Sequence, residues 1–195
     1  MEVVIKKEDG LDLALMGMAY SFKDRSLSPL DWWEAQRERA HSRARLLAPL
    51  GKGHNKFLRQ IVLWVDIEAA RCWWSEFDTY KVGTVAQSES TMHTLQKRAP
   101  THLDFERGTP IRVIDAFTLD WPEIKSDVTR LKLALPEGYL QRRLVTMNYE
   151  TVRQILIQRK KHRLEFWDEF VTKLVQQLEH PEYVSDLLPV GESNE

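Results

Sequence analysis

The chain has 195 residues, of which 43% are hydrophobic and 29% are charged, and its formal net charge is −1. This length suits one domain, and this composition provides enough apolar side chains for a hydrophobic core. The balanced charge argues against a general affinity for nucleic acid or anionic membranes. The single cysteine, Cys72, excludes an intramolecular disulfide and a cysteine-based zinc cage.

We expect a single domain over residues 1–187, followed by a flexible tail at 188–195. The N-terminus has no hydrophobic run of signal-peptide length, and no segment approaches the ~20 apolar residues of a membrane span. We therefore expect a cytoplasmic protein with no membrane partner.

The first quarter of the chain predicts one strand and two helices. A short strand is expected at 3–6 and is closed by the turn at Asp9-Gly10. An apolar helix is expected at 11–22. Ser28 followed by Pro29 is a typical helix start, so a second helix is predicted at 31–50.

This second helix is rich in arginine and could present a basic face to a partner. Its arginines are Arg37, Arg39, Arg43 and Arg45. The simpler interpretation is a solvated surface on which Glu34 and Glu38 act as ion-pair partners.

The middle of the chain predicts two strands, a helix and two loops. The apolar, β-branched run at 60–67 predicts a buried strand, and an aromatic helix follows at 68–80. The small and polar residues at 81–90 predict a loop, as do residues 99–110. A further strand is predicted at 111–117.

The C-terminal third predicts a short helix, a strand and one long helix. The short helix covers 122–132 and ends before the Leu-Pro-Glu-Gly turn at 135–138. A β-like run follows at 144–147. Apolar residues then recur at steps of mostly three and four, which predicts a single helix over 149–178.

The histidines do not form a metal-binding pattern. They are His41, His54, His93, His102, His162 and His180, with no pair spaced four apart and no HExxH sequence. We therefore expect no metal site. The sequence also has no P-loop, no GxGxxG and no GxSxG motif.

Arg159 is the candidate site residue that spacing identifies. It follows Asn148 by eleven residues, which is about three turns of a helix at 3.6 residues per turn. A helix that begins at Asn148 would present both side chains on one face, where an amide and a guanidinium can bind a planar polar ligand or a phosphate. The alternative is a salt bridge between Arg159 and a neighbouring acid.

Two stretches of the chain resemble the flavin-dependent thymidylate synthases. In the C-terminal half the resemblance rests on Leu135-Pro136, the strand that ends at Asn148, then Gln154, Arg159 and the aromatic sequence at 165–167. In the N-terminal half it rests on residues that appear in the same order: Gly53-His54, Gln60-Ile61-Val62, Asp66-Ile67 and Trp73-Trp74. Together the two stretches cover about half of the chain.

The resemblance implies a fold and a chemistry. The fold would be α/β (α+β), with a central, mostly antiparallel sheet flanked by helices and a long C-terminal helix. Members of the family are homotetramers with sites between subunits. They reduce FAD with NADPH and pass the methylene group of methylenetetrahydrofolate to C5 of dUMP, while arginines polarise the uracil ring and hold the phosphate.

The resemblance also implies roles for individual residues. Lys132 lies where an arginine would contact the nucleotide phosphate, and Arg159 lies where an arginine would contact the pyrimidine. Glu76 takes the position of a nucleotide-binding glutamine. Asn148 and Gln154 lie where amides would meet the flavin.

The family signature is Arg-His-Arg followed by Ser and then Ser-x-Arg, and this chain departs from it. The signature falls on Thr79-Tyr80-Lys81, on Thr84 and on Glu89-Ser90-Thr91. Only Lys81 keeps a cation, so Lys81 is the signature's candidate for cofactor binding. Gln60 stands where a flavin-contacting histidine is usual, and Gln87 replaces a glutamate.

The loop at 88–93 concentrates hydroxyl groups, an acid and an imidazole. Such a loop can line a polar pocket or act as a general acid or base. Glu89 and Ser90 are therefore candidate catalytic residues together with Arg159, and Thr91 is a candidate nucleotide contact. The alternative is a hydrogen-bonded loop that caps a helix.

Three functional hypotheses follow. The first is an enzyme of the thymidylate synthase type that acts on a dUMP-like pyrimidine nucleotide. The second is a catalytically silent protein that binds or sequesters such a nucleotide on the same scaffold. The third is a structural or nucleic-acid-binding protein that uses the arginine-rich helix, and the balanced net charge argues against it.

Overall fold

The structure, a computed structural model, describes residues 1–188. Its centre is a four-stranded antiparallel sheet. The strands are β1 (Glu2–Asp9), β2 (Val62–Ala70), β3 (Thr84–Ser88) and β4 (Leu140–Asn148), in the order β1-β2-β4-β3. The predicted fold class, a mostly antiparallel sheet flanked by helices, is confirmed. Apart from Leu188, the predicted tail lies outside the described residues.

One face of the sheet carries the hydrophobic core. Along β2, Leu63, Val65 and Ile67 are fully buried, while the residues between them are only half-buried. This alternation follows from the two-residue period of a strand. On the opposite face, Leu144 is 41% exposed and Val85 is 66% exposed, so apolar side chains remain accessible there.

Two helices follow β1, namely α1 (Leu11–Ala19) and α2 (Pro29–Leu47). The hydroxyl of Ser28 accepts a hydrogen bond from the backbone N–H of Asp31 at 3.2 Å, which caps α2 as predicted. Arg37 forms an ion pair of 2.6 Å with Asp12 of α1. The acid that pairs with this arginine therefore comes from the adjacent helix and not from α2.

Helix α3 (Arg71–Phe77) follows β2 directly and packs against α8 (Phe166–Val175) through aromatic rings. The ring of Trp73 lies 5.0 Å from the rings of Phe77, Trp167 and Phe170. Clusters of this kind combine a large buried area with tilted ring contacts. The helix predicted over 68–80 begins at Arg71 because residues 68–70 complete β2.

A second, smaller core lies at the end of the sheet where β4 begins. It is enclosed by α4 (Thr91–Thr94), α5 (Ile111–Ile124) and α6 (Val128–Ala134). Its buried members are Leu95, Phe105, Ile114, Phe117, Ile124, Leu131, Leu135 and Tyr139.

The predicted strand at 111–117 is wrong, because this segment forms the first half of α5. Ile114, Phe117 and Ile124 are its buried residues, at spacings that bring them to one face of a helix. The helix continues through Pro122 to Ile124. Residues 122–132, predicted as one helix, therefore span the end of α5 and the start of α6, where Asp127 caps the new helix.

The predicted loop at 81–90 is also corrected, because it contains β3. Within residues 1–188 this edge strand pairs only with β4, and four of its five residues are exposed. A solvated edge strand carries no apolar alternation, so its sequence is indistinguishable from that of a loop.

The single helix predicted over 149–178 is two helices, α7 (Tyr149–Arg159) and α8. Lys161 adopts a left-handed backbone conformation with φ of 59°, which ends the helical path. The Nδ1 of His162 then accepts a hydrogen bond from the backbone N–H of Leu164 at 3.1 Å. The apolar period continues across this break because both helices pack on the same core.

Candidate nucleotide site

Arg159 ends α7, and polar groups surround its guanidinium. Its Nη1 lies 3.0 Å from Oε2 of Glu76, on the last turn of α3. Its Nε donates to the hydroxyl of Tyr80 at 2.9 Å, and Nη1 also lies 3.0 Å from Nε2 of His162. The side chain is 14% exposed, so most of this charge is held away from water.

Two aromatic rings complete the surroundings of Arg159. The guanidinium carbon lies 4.3 Å from the ring centre of Trp167 and 5.4 Å from that of Tyr80, within the range of cation–π attraction. Trp167 also donates its indole N–H to Oε2 of Glu76 at 2.8 Å. We call these five residues the Arg159 cage: Glu76, Tyr80, Arg159, His162 and Trp167.

The cage brings together two of the four predicted nucleotide-binding residues, Arg159 and Glu76. It also confirms that Arg159 forms a salt bridge with a neighbouring acid, which sequence spacing left open. An ion pair at 3.0 Å with cation–π contacts fixes the guanidinium in one orientation.

The other two predicted nucleotide-binding residues form a separate pair. The ammonium of Lys132, on α6, donates to the hydroxyl of Thr91 at 2.6 Å. Thr91 is buried at the start of α4, and Lys132 is exposed. Within residues 1–188 this pair has no hydrogen bond or ion pair with the Arg159 cage. The predicted nucleotide set is thus divided into two places on one chain.

The candidate catalytic residues Glu89 and Ser90 lie between β3 and α4. The backbone N–H of Glu89 donates to the carbonyl of Arg142 at 3.0 Å. Burial raises the pKa of the Glu89 carboxyl above its ordinary value. The backbone carbonyl of Ser90 accepts from the N–H groups of His93 and Thr94, at 3.0 and 2.9 Å, so Ser90 begins α4.

Glu89 lines a polar cavity of about 440 Å³. The wall also contains Tyr139, whose pKa is raised by burial, and Arg98, which pairs with Asp104. A carboxyl that keeps its proton to a higher pH is suited to general acid chemistry.

The four candidate cofactor-binding residues lie at the opposite end of the sheet, where β4 ends and β2 and β3 begin. Asn148 caps α7, since its Oδ1 accepts from the backbone N–H of Thr151 at 3.0 Å. Gln60 precedes β2, Lys81 precedes β3, and Gln154 lies on the second turn of α7. The last three are exposed. We call this set of four residues the cofactor edge.

The residue types at the cofactor edge fit a flavin. Amide and ammonium groups can donate hydrogen bonds to ring carbonyls or to phosphates. Val82, which follows Lys81 in the chain, and Ile157, three residues after Gln154 on α7, are 87% and 59% exposed, so apolar side chains are also accessible on these segments.

Sequence reasoning missed three members of the cage. The sequence indicates Tyr80 only as a position of the family signature, and Trp167 only as part of the apolar helix period and of the aromatic run at 165–167. His162 lies three residues after Arg159, a spacing that would have placed it near Arg159 had the helix continued. The aromatic content of the following helix was the remaining signal, since arginine often stacks on such rings.

The described part of the chain contains neither a candidate metal centre nor a candidate membrane-spanning helix. Residues 1–188 contain no group of three or more His, Cys, Asp or Glu that could hold a metal ion. None of the helices over the same residues is long and apolar enough to cross a membrane.

The fold is that of the flavin-dependent thymidylate synthases. A crystal structure of the enzyme ThyX from Helicobacter pylori, complexed with FAD and dUMP, is similar with a TM-score of 0.77 and 15% sequence identity, over 97% of this chain and all of that chain. A second ThyX structure from the same organism, also with FAD and dUMP, has a TM-score of 0.75 and 14% identity, over 96% and 99% of the two chains. No family model and no curated protein sequence matches this chain. At these identities the likeness establishes the fold.

Proposed function

We propose that this protein binds a dUMP-like pyrimidine nucleotide at sites completed between the subunits of a homotetramer. The observation that carries the proposal is the likeness in fold, over nearly the whole of both chains, to thymidylate synthases solved with FAD and dUMP. The exposed sheet face supports it as well, because Leu144 and Val85 offer apolar area for contact between subunits.

In this proposal Lys132 binds the nucleotide phosphate. It is exposed, and the neutral hydroxyl of Thr91 is its one hydrogen-bond partner among residues 1–188. The ammonium charge is therefore uncompensated and can form charge-assisted hydrogen bonds with phosphate oxygens. A lysine provides a point charge there and not the bidentate fork of an arginine.

Arg159 recognises the pyrimidine and not the phosphate. Its charge is compensated by Glu76 at 3.0 Å. A phosphate held ~4 Å from that carboxylate would meet a repulsion of about 4 kcal/mol per unit charge at an effective dielectric of about 20. A neutral pyrimidine carbonyl meets no such repulsion and can accept a hydrogen bond from the guanidinium. In this arrangement Lys132 of one subunit binds the phosphate of the nucleotide, and Arg159 of another subunit binds its pyrimidine.

An enzyme on this scaffold also requires FAD, which Gln60, Lys81, Asn148 and Gln154 would hold. When bound, the flavin supplies the redox and one-carbon transfer chemistry of pyrimidine metabolism, with NADPH as reductant and methylenetetrahydrofolate as carbon donor. Arg159 would withdraw electron density from the pyrimidine carbonyl. Glu89, whose pKa is raised by burial, would carry a proton with Ser90 as a hydrogen-bonding partner.

A second candidate function is nucleotide binding without turnover. The salt bridge to Glu76 favours it, because a compensated guanidinium is a weaker electrophile toward the pyrimidine ring. Only Lys81 remains of the cations in the family signature, which also favours binding over catalysis.

The test combines native mass spectrometry, visible absorbance and calorimetric titration with dUMP. We expect a tetramer that binds dUMP, with binding lost in Arg159→Ala and in Lys132→Ala and retained in Arg112→Ala, an exposed arginine on α5. A copurified or added flavin that absorbs in the visible range, together with methylation of dUMP, selects the enzyme. Tight dUMP binding by colourless protein selects the silent binder. The proposal is contradicted if the tetramer does not bind dUMP, or if folded Arg159→Ala protein binds dUMP as the parent does.

A further inference from the structure

A second cavity lies between α1, α2 and the segment at 51–60. It is an open groove of about 790 Å³ and shares no lining residue with the Arg159 cage. Small-molecule sites typically have volumes of roughly 300–1,000 Å³. We call this cavity the basic groove.

The charged side chains that line the basic groove are all cations. Arg43 comes from α2, and Lys56 and Arg59, together with the imidazole of His54, come from the segment at 51–60. No aspartate or glutamate among residues 1–188 lines the groove. None of these four side chains forms a salt bridge with any residue in 1–188, whereas Arg37, six residues earlier on α2, pairs with Asp12. Uncompensated cations that converge on one cavity repel one another, so an anion bound there relieves an unfavourable arrangement.

One wall of the groove is apolar. The ring of Phe22 is 55% exposed, and the guanidinium carbon of Arg43 lies 3.8 Å from its centre. Met18 and Leu47 add half-buried aliphatic surface beside it. A cation stacked on an aromatic ring, next to apolar side chains and two further cations, suits a ligand with a flat part and a charged part.

We propose that the basic groove binds a small organic phosphate ester, with at least two negative charges on its phosphates and a flat apolar portion. Lys56 and Arg59 bind the phosphates, and the wall of Phe22, Met18 and Leu47 receives the flat portion. Gln60 lines this groove and is also a member of the cofactor edge, but the proposal does not rest on flavin or dUMP binding.

The probe is ADP, titrated calorimetrically into the full chain at low ionic strength. Removal of the charge in Lys56→Gln and Arg59→Gln is expected to weaken ADP binding by about tenfold or more for each residue, the cost of losing a charge-assisted hydrogen bond. Both side chains are exposed, so the variants should unfold thermally as the parent does. Arg112→Gln, which removes an exposed arginine of α5 instead, is the matched control and should bind as the parent does.

A variant that changes the shape of the groove and leaves its charge intact gives an independent test. Gly17 lies on α1 in the groove wall, and a Cβ at this position would meet only the Oε1 of Gln60, at 3.6 Å. The Cβ of Gly17→Met therefore fits without a clash, the flexible remainder of the side chain is expected to extend into the groove, and replacing a helical glycine favours the helix. We expect Gly17→Met to remain folded and to lose ADP binding at least as completely as Arg59→Gln.

Two smaller ligands test whether the groove binds both the phosphates and the flat portion of ADP. Pyrophosphate and adenosine should each bind at least about tenfold more weakly than ADP, because each lacks one part of the ligand. Three results would overturn the proposal. They are ADP binding unchanged in the Lys56, Arg59 and Gly17 variants, ADP binding abolished by Arg159→Ala, and a short single-stranded DNA that binds with the same variant sensitivity while ADP does not bind.

Discussion

The carboxylate of Glu76 compensates the guanidinium of Arg159 across 3.0 Å, and the indole of Trp167 donates to the same carboxylate oxygen at 2.8 Å. Arg159, the cation that both spacing and family resemblance assign to the site, is thus paired with an acid of its own subunit. Any ligand that uses Arg159 must recognise it together with this acid, and the first prediction follows from that arrangement.

Replacing Glu76 with glutamine should strengthen nucleotide binding. Glu76→Gln keeps an acceptor for Trp167 but removes the negative charge beside Arg159, so the affinity for dUMP should rise, by on the order of tenfold. Isothermal titration with dUMP measures the change. Glu137→Gln is the control, since Glu137 also pairs with an arginine, Arg71 at 3.4 Å, but is 64% exposed. An affinity that falls or stays level in Glu76→Gln would show that the acid is part of the recognition.

The two central tryptophans should differ in their tolerance of phenylalanine. Both are fully buried, but the indole N–H of Trp167 donates to Glu76, whereas that of Trp73 has no hydrogen-bond partner in the described part of the chain. Trp167→Phe leaves the Glu76 carboxylate short of a donor and should cost about 1–3 kcal/mol more than Trp73→Phe, which removes an unsatisfied group. Chemical denaturation at neutral pH compares the two variants. Equal losses would mean that ring volume alone determines the cost.

The ion pair between Arg153 and Asp186 should make stability depend on acid pH. Arg153 is 5% exposed, and its Nη1 and Nη2 lie 2.5 and 2.7 Å from the two carboxylate oxygens of Asp186. The hydrogen bonds from Arg153 lower the pKa of Asp186 below its ordinary 3.8. A lowered pKa gives stability that is present above pH 3.8 and is lost as the pH falls through the lowered value.

The variant Asp186→Asn tests this dependence. It should cost about 1.5–3 kcal/mol at neutral pH, the range for hydrogen bonds to charged groups. The difference from the parent should be smaller at about pH 2 than at neutral pH, because Asp186 takes up its proton as the pH falls through its lowered pKa, below the ordinary 3.8. Urea unfolding at both pH values measures it, with the exposed Asp120→Asn as control. A constant difference across this range would contradict the assignment.

The buried carboxyl of Glu8 should respond to the loss of its tyrosine. The hydroxyl of Tyr149 donates to Oε2 of Glu8 at 2.5 Å, and the backbone N–H of Glu179 donates to Oε1 at 2.9 Å. Burial raises the pKa of Glu8, and the bond from Tyr149 opposes part of that rise. Tyr149→Phe should therefore raise the pKa of Glu8 further, which an NMR titration of the carboxyl would detect.

The same variant has a stability signature. A raised pKa favours folding below the ordinary value of 4.5, and this contribution is lost as the pH rises through the folded pKa. Tyr149→Phe should thus cost about 1–3 kcal/mol at neutral pH and less at about pH 4, where Glu8 is neutral. Tyr20→Phe, at an exposed ring, should be neutral at both pH values. A larger loss at the lower pH would reverse the proposed sign.

The fold was predictable where local signals and burial agree. The run at 60–67 is β-branched and apolar because β2 lies between two other strands, and the Ser28-Pro29 start of α2 is a local capping signal. Residues 111–117 fit both a strand and a helix over so short a window, and the burial of Ile114 and Phe117 in the second core decides for a helix. That information comes from tertiary packing.

The candidate site was predictable only in part. Spacing and resemblance identified Arg159 and Glu76, and the structure joins them. The roles of Tyr80, His162 and Trp167 depend on how α7 and α8 are oriented, which local periodicity does not encode. The separation of Lys132 from the cage also needed coordinates, because it depends on which core each helix joins.

The turn at Lys161 has a consequence for how the cage can be changed. In an uninterrupted helix, residues 159 and 167 would be about 12 Å apart along the axis, and the ring could not reach the guanidinium. A single residue in left-handed geometry redirects the chain so that they meet at 4.3 Å. The orientation of Arg159 therefore depends on the backbone conformation of Lys161, a residue outside the cage, and a change of residue at that position would alter the cage without replacing any of its five side chains.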